Sequence, residues 1–583
     1  MTAEGRRQFA FFGAVALGIA IRTVDFLNCR SLGLDEARLG VNVAFRSFAG
    51  LLRPLDLDQS APPLFLWAER VTLLLFNYSP CALRLLPVLA GILAAALMYP
   101  LARRFLGEGE ARVAALIGVF CPLLITYSNA AKQYSFEVLV ALALLLVLMR
   151  PTPPRGSAQS GLTIAAGVVA PWASLTSLFV LAVAWAALMV NAVRGRRRAD
   201  VGLWAVATGL WVTSALAAYL LVYRAASQNP YMRRFWELAF VRPDRAGFLP
   251  HLGKTLEDLV WGFVAGDPLI DRRPFLPYLH AGTVLVLLFI AAGVLRLVRT
   301  RAVSAAWYLG GPTLAVFAAS GVGLFPVAPR LTLFMLPGLI VLFVCGTGEL
   351  LAHAGATVAR HQLTIVTALI VLPMEFQAVV RTFALAPSGQ FQQIVSDLRQ
   401  HRAPNEPVYI FARALPAWIF YTVDWAHPDT ARVRYLIRAA GAGGFAFENA
   451  PSRRRVSVAE LEAARPAAAA PGELLGLPSG MEWREVQEHL RAAPDSGWVE
   501  AERGRIEGAA RPRVWVLATT YYAPETELFK VLEQDAVRRT FARIGPGSAL
   551  VRYEFAAGRS DSVTSHKLPL SFGRKSTNTT AGR

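Results

Sequence analysis

Residues 9–36, FAFFGAVALGIAIRTVDFLNCRSLGLDE, place two adjacent carboxylates, Asp35 and Glu36, a few positions after an apolar run. The run from Phe9 to Leu27 is long enough to cross a bilayer, so the carboxylates follow a predicted membrane exit. A carboxylate is costly in lipid, and at a membrane boundary it usually faces a cavity and marks a functional site. The alternative is an ordinary solvated loop, which this stretch alone does not exclude.

The composition around this stretch is that of a polytopic membrane protein. Of 583 residues, 55% are hydrophobic and only 17% are charged, and the mean hydropathy is +0.42. Such a chain is too apolar for one soluble globule and too long for one domain. The apolar runs stop near Arg381, and ordinary soluble composition follows. The first run lacks a small-residue cleavage site, so we expect it to stay as a helix rather than to be removed as a signal peptide.

The net charge of +19 would suit a nucleic-acid partner, but its distribution favours a membrane topology. Much of the Arg in the first 380 residues lies in short links between apolar runs, as the positive-inside rule describes. With the N-terminus in the cytoplasm, this pattern predicts eleven spans and an extracytoplasmic C-terminal part. The predicted spans are 9–27, 83–102, 112–129, 134–149, 160–173, 174–193, 202–223, 280–298, 303–320, 331–352 and 363–381.

The first outer loop is predicted to hold two juxtamembrane helices. One covers about Asp35 to Leu52, and the second covers Pro63 to Phe76, PLFLWAERVTLLLF. Counting the second helix as a span would invert every later orientation, and it carries Glu69 next to Arg70. We therefore expect it to lie at the outer membrane interface.

Five short stretches resemble the GT-C superfamily of integral membrane glycosyltransferases, in particular the branch of the protein O-mannosyltransferases and the lipid A aminoarabinose transferase. Each stretch alone is weak, but their order and their placement on one membrane face make the resemblance specific. It covers about residues 8–382. The stretches are 34–38 (LDEAR), 59–65 (QSAPPLF), 84–87 (RLLP), 127–134 (YSNAAKQY) and 325–330 (FPVAPR).

The resemblance implies an all-α polytopic membrane domain at 1–382. The rest is predicted to form a small extracytoplasmic α/β domain at 383–557 and a disordered tail at 558–583. Residues 408–411, 433–437, 514–518 and 549–555 are predicted strands, and residues 391–401, 415–421, 483–491 and 525–543 are predicted helices. For this second domain we expect acceptor binding or partner docking.

The resemblance also implies a reaction, in which a sugar passes from a polyprenyl-phosphate carrier to an acceptor on the outer face, commonly with inversion at the anomeric carbon. Asp35 matches the general base that the attacking hydroxyl requires, and Glu36 is expected to support or orient it. Lys132 and Arg330 are candidates to hold the carrier phosphate, with Tyr134 beside them on the substrate side.

Several roles stay open at this stage. Arg38, three residues after Asp35, either neutralises that carboxylate or joins the phosphate site. Relatives often carry Arg or an acidic residue near the position of Lys132, so Lys132 contacts phosphate or forms a local ion pair. No basic residue precedes Pro62, so Asp58 or Gln59 is expected to bind sugar hydroxyls instead.

Three further hypotheses have open alternatives. The carboxylates of Asp35, Glu36 and Asp58 are of a type that holds a divalent metal, although their spacing is not diagnostic and no cofactor is certain. Residues 231–236 line an acceptor cleft or form an interfacial aromatic belt. Cys29 and Cys81 lie on the same predicted face, either bridged or as two free thiols.

The expected partners are a polyprenyl-phosphate sugar, a glycan, lipid or protein acceptor and the membrane, but no nucleic acid. The expected location is the inner membrane of a bacterium. Two rival functions remain: a transporter or flippase of lipid-linked glycans, and a non-catalytic scaffold for envelope assembly.

Overall fold

The computed structural model describes six long stretches of the chain and several shorter ones near the C-terminus. The long stretches are 2–149, 157–194, 198–265, 276–353, 362–384 and 391–442. The shorter ones are 446–447, 473–476, 482–486, 489–492, 496–509, 513–519, 523–545 and 548–555, with single residues at 355, 463 and 465. The predicted tail at 558–583 lies outside the described residues.

The N-terminal two thirds are helical. In chain order the helices are α1 Ala3–Leu27, α2 Leu34–Phe45, α3 Pro63–Leu75, α4 Pro80–Ala102, α5 Glu108–Phe120, α6 Pro122–Ser128, α7 Tyr134–Leu148, α8 Ser157–Ala173, α9 Ser177–Arg194, α10 Arg198–Ala218, α11 Arg224–Ser227, α12 Pro230–Phe235, α13 Phe248–Ala265, α14 Leu276–Arg299, α15 Val303–Gly321, α16 Leu336–His353, α17 Gln362–Val366 and α18 Leu372–Ala384. One turn of π-helix joins α10 to α11, and another joins α17 to α18.

This architecture is that of a multi-span membrane protein. Within the described residues, five helices are long and apolar enough to cross a bilayer, and a sixth span results if α5 and α6, bent by 50°, count as one. Four shorter apolar helices lie at 134–148, 160–173, 177–190 and 364–380. The predicted number of eleven spans is therefore not confirmed.

A buried cation inside α1 contacts the break between α5 and α6. Proline cannot continue a helix without freeing a carbonyl, and Pro122 follows the break at Cys121. The Arg22 guanidinium donates to the Val119 carbonyl at 2.8 Å, to the Gly18 carbonyl at 3.0 Å and to Ser128 Oγ at 3.3 Å. These oxygens satisfy an arginine that is 1% exposed, and they fix the bend at the base of the second outer loop.

The first outer loop contains both predicted juxtamembrane helices, with changed bounds. The first helix, α2, ends at Phe45 rather than continuing to Leu52, and a separate 3₁₀ turn covers Gly50–Leu52. The second, α3, agrees with its predicted range and begins with proline at its first position, as helix starts favour. The open question about Cys29 and Cys81 has an answer in this structure, where a disulfide joins them with their Cα atoms 5.2 Å apart.

The C-terminal part is α/β. Its elements are α19 Phe391–His401, β1 Val408–Phe411, α20 Leu415–Thr422, α21 Thr430–Ala442, β2 Ala446–Phe447, β3 Glu473–Gly476, β4 Glu482–Val486, β5 His489–Ala492, α22 Ser496–Ala509, β6 Arg513–Thr519, α23 Ala523–Asp535, β7 Arg538–Gly545 and β8 Ser548–Glu554. A five-stranded sheet has the order β3-β1-β6-β8-β7, and a second sheet has the order β2-β4-β5. Strand β1 is parallel to both neighbours, whereas β8 is antiparallel to both of its own.

Three predicted elements of this part are wrong. Residues 433–437 belong to helix α21, where Val433, Leu436, Ile437 and Ala440 are buried at helical spacing. Residues 482–486 and 489–492, which lie in the predicted helix 483–491 or at its ends, form the antiparallel strands β4 and β5. The predicted helix 525–543 ends at Asp535, and strand β7 follows because it pairs with β8.

One hydrophobic core joins the first outer loop to the soluble part. Buried side chains of α2, α3 and the start of α4 pack in the same cluster as those of α19, β1, α20 and α21. Helix α20 lies directly against α2, whose first turn carries Asp35 and Glu36. The two parts of the chain are therefore packed together next to the predicted site.

Candidate active site

The first turn of α2 presents Asp35 at the boundary between the membrane helices and the soluble part. Asp35 lies at the second position of the helix, where the helix dipole favours a negative charge. Its side chain is 48% exposed, and its Oδ2 accepts a hydrogen bond from Arg330 Nη1 at 3.3 Å. The structure thus brings together two predicted site residues that are almost three hundred positions apart in the chain.

Glu36 has a different environment from Asp35, because each of its carboxylate oxygens accepts two hydrogen bonds from the protein. Oε1 accepts from Arg84 Nε at 3.0 Å and from the Ala131 backbone N–H at 2.7 Å. Oε2 accepts from Arg84 Nη2 and from the Gly33 N–H, both at 2.7 Å. This carboxylate ties α2 to α4 and to the second outer loop, a geometry that suits orientation of the site rather than proton transfer.

The side chains of Lys132 and Gln59 are hydrogen-bonded to each other. Lys132 Nζ donates to Gln59 Oε1 at 2.5 Å, and Gln59 Nε2 donates to the Leu57 carbonyl at 3.1 Å. Because the Ala131 N–H is held by Glu36, the backbone before Lys132 is fixed relative to Asp35. Lys132 also lies close enough to Asp35 to interact with it electrostatically.

Arg330 is held between a carboxylate and an aromatic ring. Its guanidinium carbon lies 4.8 Å from the centre of the Trp236 ring, which is a cation–π distance. The same guanidinium donates the hydrogen bond to Asp35. Tyr134, buried at the start of α7, is close enough to Arg330 to interact electrostatically and packs edge-on against Tyr127. These contacts place a planar cation at the mouth of the site.

The outer loop that carries α12 contacts the same group of residues. Tyr231 interacts with Arg38 through a side-chain hydrogen bond, and Asn229 Nδ2 donates to Asp58 Oδ1 at 2.8 Å. Asn229 also caps α12, since its Oδ1 accepts from the Tyr231 N–H at 2.9 Å. Two residues of the aromatic stretch 231–236, Tyr231 and Trp236, therefore contact residues of the candidate site.

Sequence reasoning missed Asn229 and the particular contacts of Tyr231 and Trp236. The signal available was the concentration of aromatic and Arg residues in a loop on the same face as Asp35. The structure adds a second indication of a functional site. Asp58 and Leu57 both have left-handed backbone conformations, with φ angles of 57° and 61°. Such strain in residues other than glycine occurs preferentially at functional sites.

The charges determine the protonation states of the site. Burial works to raise the pKa of Asp35, but the positive charges of Lys132, Arg330 and Arg38 outweigh it and hold that pKa below its ordinary value. Burial also works to raise the pKa of Glu36, but the charge of Arg84 outweighs that effect and lowers the pKa to about 2. Burial lowers the pKa of Lys132 to about 8, against the attraction of Asp35. At neutral pH the site holds two carboxylates and a group of cations.

The metal hypothesis is not supported by this arrangement. Among the described residues no three His, Cys, Asp or Glu side chains come together so that they could hold a metal ion. Glu36 is occupied by Arg84 and two backbone N–H groups, and Asp58 accepts from Asn229. The three carboxylates are thus directed to separate partners.

Glu69 of α3 is a buried carboxylate next to this site. It is 1% exposed, and neither carboxylate oxygen has a hydrogen-bond partner among the described residues. Burial and then the negative charge of Glu36 raise the pKa of Glu69 well above its ordinary value, which favours the uncharged, protonated carboxyl.

The substitution Glu69→Gln is expected to stabilise the protein at neutral pH. A carboxyl whose folded pKa is raised contributes stability that is present below its unfolded pKa and is lost as pH rises toward the folded value. The glutamine variant should therefore melt about 2–4 °C higher at pH 7.5 and at the same temperature as the parent near pH 4. Thermal unfolding at both pH values measures this. Glu527→Gln, an exposed residue paired with Lys530, is the control, and a lower melting temperature for Glu69→Gln at pH 7.5 would contradict the assignment.

Comparison with known families agrees with the predicted resemblance. The family model described as dolichyl-phosphate-mannose-protein mannosyltransferase matches residues 60–229, a range that contains Lys132, Asn229 and the second juxtamembrane helix. No curated protein matches the chain. The match confirms, for that part of the chain, the resemblance to membrane glycosyltransferases of the GT-C class.

Solved structures of membrane glycosyltransferases overlap with this chain at low identity. ArnT from Cupriavidus metallidurans bound to undecaprenyl phosphate is 15% identical, covers 94% of this chain and 98% of its own, and gives a TM-score of 0.49. Its apo form is 16% identical over 93% and 98%, with a TM-score of 0.46. The oligosaccharyltransferase AglB from Archaeoglobus fulgidus, in complex with an inhibitory peptide and a dolichol-phosphate, is 12% identical over 71% and 63%, with a TM-score of 0.41.

Proposed function

We propose that this protein transfers a sugar from a polyprenyl-phosphate carrier to an acceptor on the extracytoplasmic face of a bacterial inner membrane, with Asp35 as the general base. The observation that carries the proposal is the juxtaposition of a half-exposed carboxylate with the cations Arg330, Lys132 and Arg38. An inverting transfer needs both a base for the attacking hydroxyl and positive charge for the leaving phosphate.

In the proposed reaction one bond to the anomeric carbon forms as another breaks. The acceptor oxygen forms a bond to the anomeric carbon, its proton passes to Asp35, and the bond from that carbon to the carrier phosphate breaks. The charge that develops on the phosphate is stabilised by Arg330 and Lys132. Those cations depress the pKa of Asp35 in the free protein. When a phosphate shares their charge, Asp35 becomes a stronger base at the moment it is needed.

Several expectations from the sequence become parts of the same proposal. Arg38 joins the phosphate site, and Asp58 orients the substrate through its bond with Asn229. Gln59 positions Lys132, and Tyr134 lines the substrate side next to Arg330. Residues 1–382 form the catalytic membrane domain, and residues 383–557 form the extracytoplasmic domain.

The test is an assay of purified wild-type protein in detergent with a panel of radiolabelled polyprenyl-phosphate sugars. Transfer should release the polyprenyl phosphate only when an acceptor is present, and the sugar that supports release identifies the donor. Specific binding of the carrier with no release for any sugar would refute the proposal and favour a transporter or scaffold instead.

The pH dependence of kcat/KM for the donor should follow the titration of Lys132. Because the charged form of lysine holds the phosphate, and burial lowers its pKa to about 8, kcat/KM for the donor should fall about tenfold per pH unit above pH 8. In Lys132→Arg the cation stays charged throughout, so this fall should disappear from the measurable range.

The measurement is kcat/KM for the donor from pH 6 to pH 10 in both proteins. Lys254→Arg in α13 is the matched control, and it should keep the wild-type profile. An unchanged fall above pH 8 in Lys132→Arg would assign the titration to another group.

A further inference from the structure

The soluble part contacts the segment that leads into the catalytic turn. Tyr421 at the end of α20 accepts a hydrogen bond on its hydroxyl oxygen from the Leu32 backbone N–H at 2.8 Å. The Gln392 N–H at the start of α19 donates to Ser31 Oγ at 3.1 Å. Residues 31 and 32 thus receive two hydrogen-bond contacts from the soluble part, a few positions before Asp35.

The same segment is held from the membrane side by Arg84. Its guanidinium donates to the carbonyls of Arg30 and Ser31 and to both oxygens of Glu36. Arg84 is 1% exposed, so these bonds are shielded from competing water. The turn before α2 is therefore clamped between α4 of the membrane part and α20 of the soluble part.

A third contact fixes the body of α2 against α20. A Cβ atom added at Gly40 would lie 2.8 Å from Leu83 Cδ1 and 3.2 Å from Phe420 Cε2, so the glycine permits close approach of the two helices. Ala37 and Val41 of α2 share a hydrophobic cluster with Leu415 and Ile419 of α20. Burial of this face resists displacement of one helix relative to the other.

We infer that α20 of the soluble part positions the base, and that Tyr421 is a positioning residue acting on Asp35 through the turn at residues 30–34. This inference rests on the proposed function and assigns to the soluble part a task other than the expected acceptor binding or partner docking. Asp35 forms an ion pair with Arg330 and is half exposed. The direction of its carboxylate therefore depends on the backbone that α20 and Arg84 hold.

The substitution Tyr421→Phe removes the bond to Leu32 and keeps the ring in the core. Small displacements of a reacting group reduce turnover strongly, so kcat should fall about 10- to 100-fold. The KM for the donor should change less than about twofold, because the phosphate-binding cations are held by other contacts. A purely structural role would lower the amount of folded protein without this division between kcat and KM.

The matched control is Tyr409→Phe. Tyr409 of β1 is a buried tyrosine whose hydroxyl is likewise hydrogen-bonded, in this case as a donor to Glu502, but it packs in a separate cluster on the other face of the sheet. It should keep the wild-type kcat. Thermal unfolding of both variants shows whether they are equally folded.

Hydrogen–deuterium exchange of residues 30–45 gives a readout that does not depend on activity. Faster exchange in Tyr421→Phe than in Tyr409→Phe, together with the fall in kcat, supports the inference. Wild-type kcat and unchanged exchange in Tyr421→Phe overturn it. If the wild type transfers no sugar at all, the proposed function fails, and faster exchange then still establishes the contact from α20 to the turn.

A pair of substitutions tests the helix contact directly. Gly40→Ala should lower kcat because the new methyl group presses on Leu83 and on Phe420, and the double variant Gly40→Ala, Phe420→Leu should recover the part of that loss that comes from Phe420. Recovery would show that the two helices act together. If kcat of the double variant is reduced by the product of the two single-variant factors, the two residues are not coupled through this contact.

Discussion

Replacing Asp35 with asparagine is expected to lower kcat by about 100- to 10,000-fold, the range that general base catalysis contributes. The amide keeps the shape of the side chain and its place in the first turn of α2, but it cannot take the proton of the attacking hydroxyl. Asp35 accepts from Arg330 in the free protein, so removing its charge leaves that cation more available to phosphate. Binding of polyprenyl phosphate should therefore be retained or become tighter.

The measurement is the single-turnover rate together with the Kd for polyprenyl phosphate. Asp56→Asn is the matched control, because Asp56 lies in the same outer loop and its carboxylate pairs with Arg46 at 2.8 Å, away from the cations of the site. That variant should turn over like the wild type. Turnover in Asp35→Asn within about threefold of the wild type would exclude Asp35 as the base.

Replacing Arg330 with alanine should have the second largest effect, a fall of about 100- to 1,000-fold in kcat/KM for the donor. The guanidinium is the group that links the carboxylate of Asp35 to the ring of Trp236, so its loss removes a preorganised charge from the leaving phosphate. Arg330→Lys should be intermediate, since lysine keeps the charge but loses the planar fork and the stacking.

Steady-state kinetics over a range of donor concentrations measure this effect. Arg242→Ala is the control, because that arginine lies in the loop that carries Trp236 and pairs with the exposed Asp244 instead. Equal losses in the two alanine variants would mean that general surface charge, rather than the position of Arg330, governs donor use.

The residues of the candidate site could be proposed from the sequence because they lie in short local motifs. Asp35 and Glu36 follow an apolar run, and Lys132 and Arg330 each stand in an outer link where the positive-inside bias makes cations unusual. Such signals depend on sequence neighbours and on membrane side alone. The pairing of Arg330 with Asp35 and of Lys132 with Gln59 needed coordinates, because contacts across hundreds of residues leave no local pattern.

The errors in the soluble part have a common physical origin. The segment VRYLI at 433–437 is rich in strand-forming residues but is helical, since its apolar positions pack one face of α21 into the core. Residues 482–486 and 489–492 include good helix formers but pair as two strands. Intrinsic preferences are small, and burial or strand pairing overrides them.

The sequence by itself determined the membrane class of this protein, the pair of carboxylates that follows the first apolar run and the presence of a C-terminal α/β part. Each of these follows from hydropathy, charge and motif order, which are properties of the chain alone. Only the tertiary structure decided which groups meet: Glu36 with Arg84, Arg38 with Tyr231, Asp58 with Asn229 and Tyr421 with Leu32. Those choices depend on how helices pack and how distant buried polar groups find partners, and that information exists only once the chain has folded.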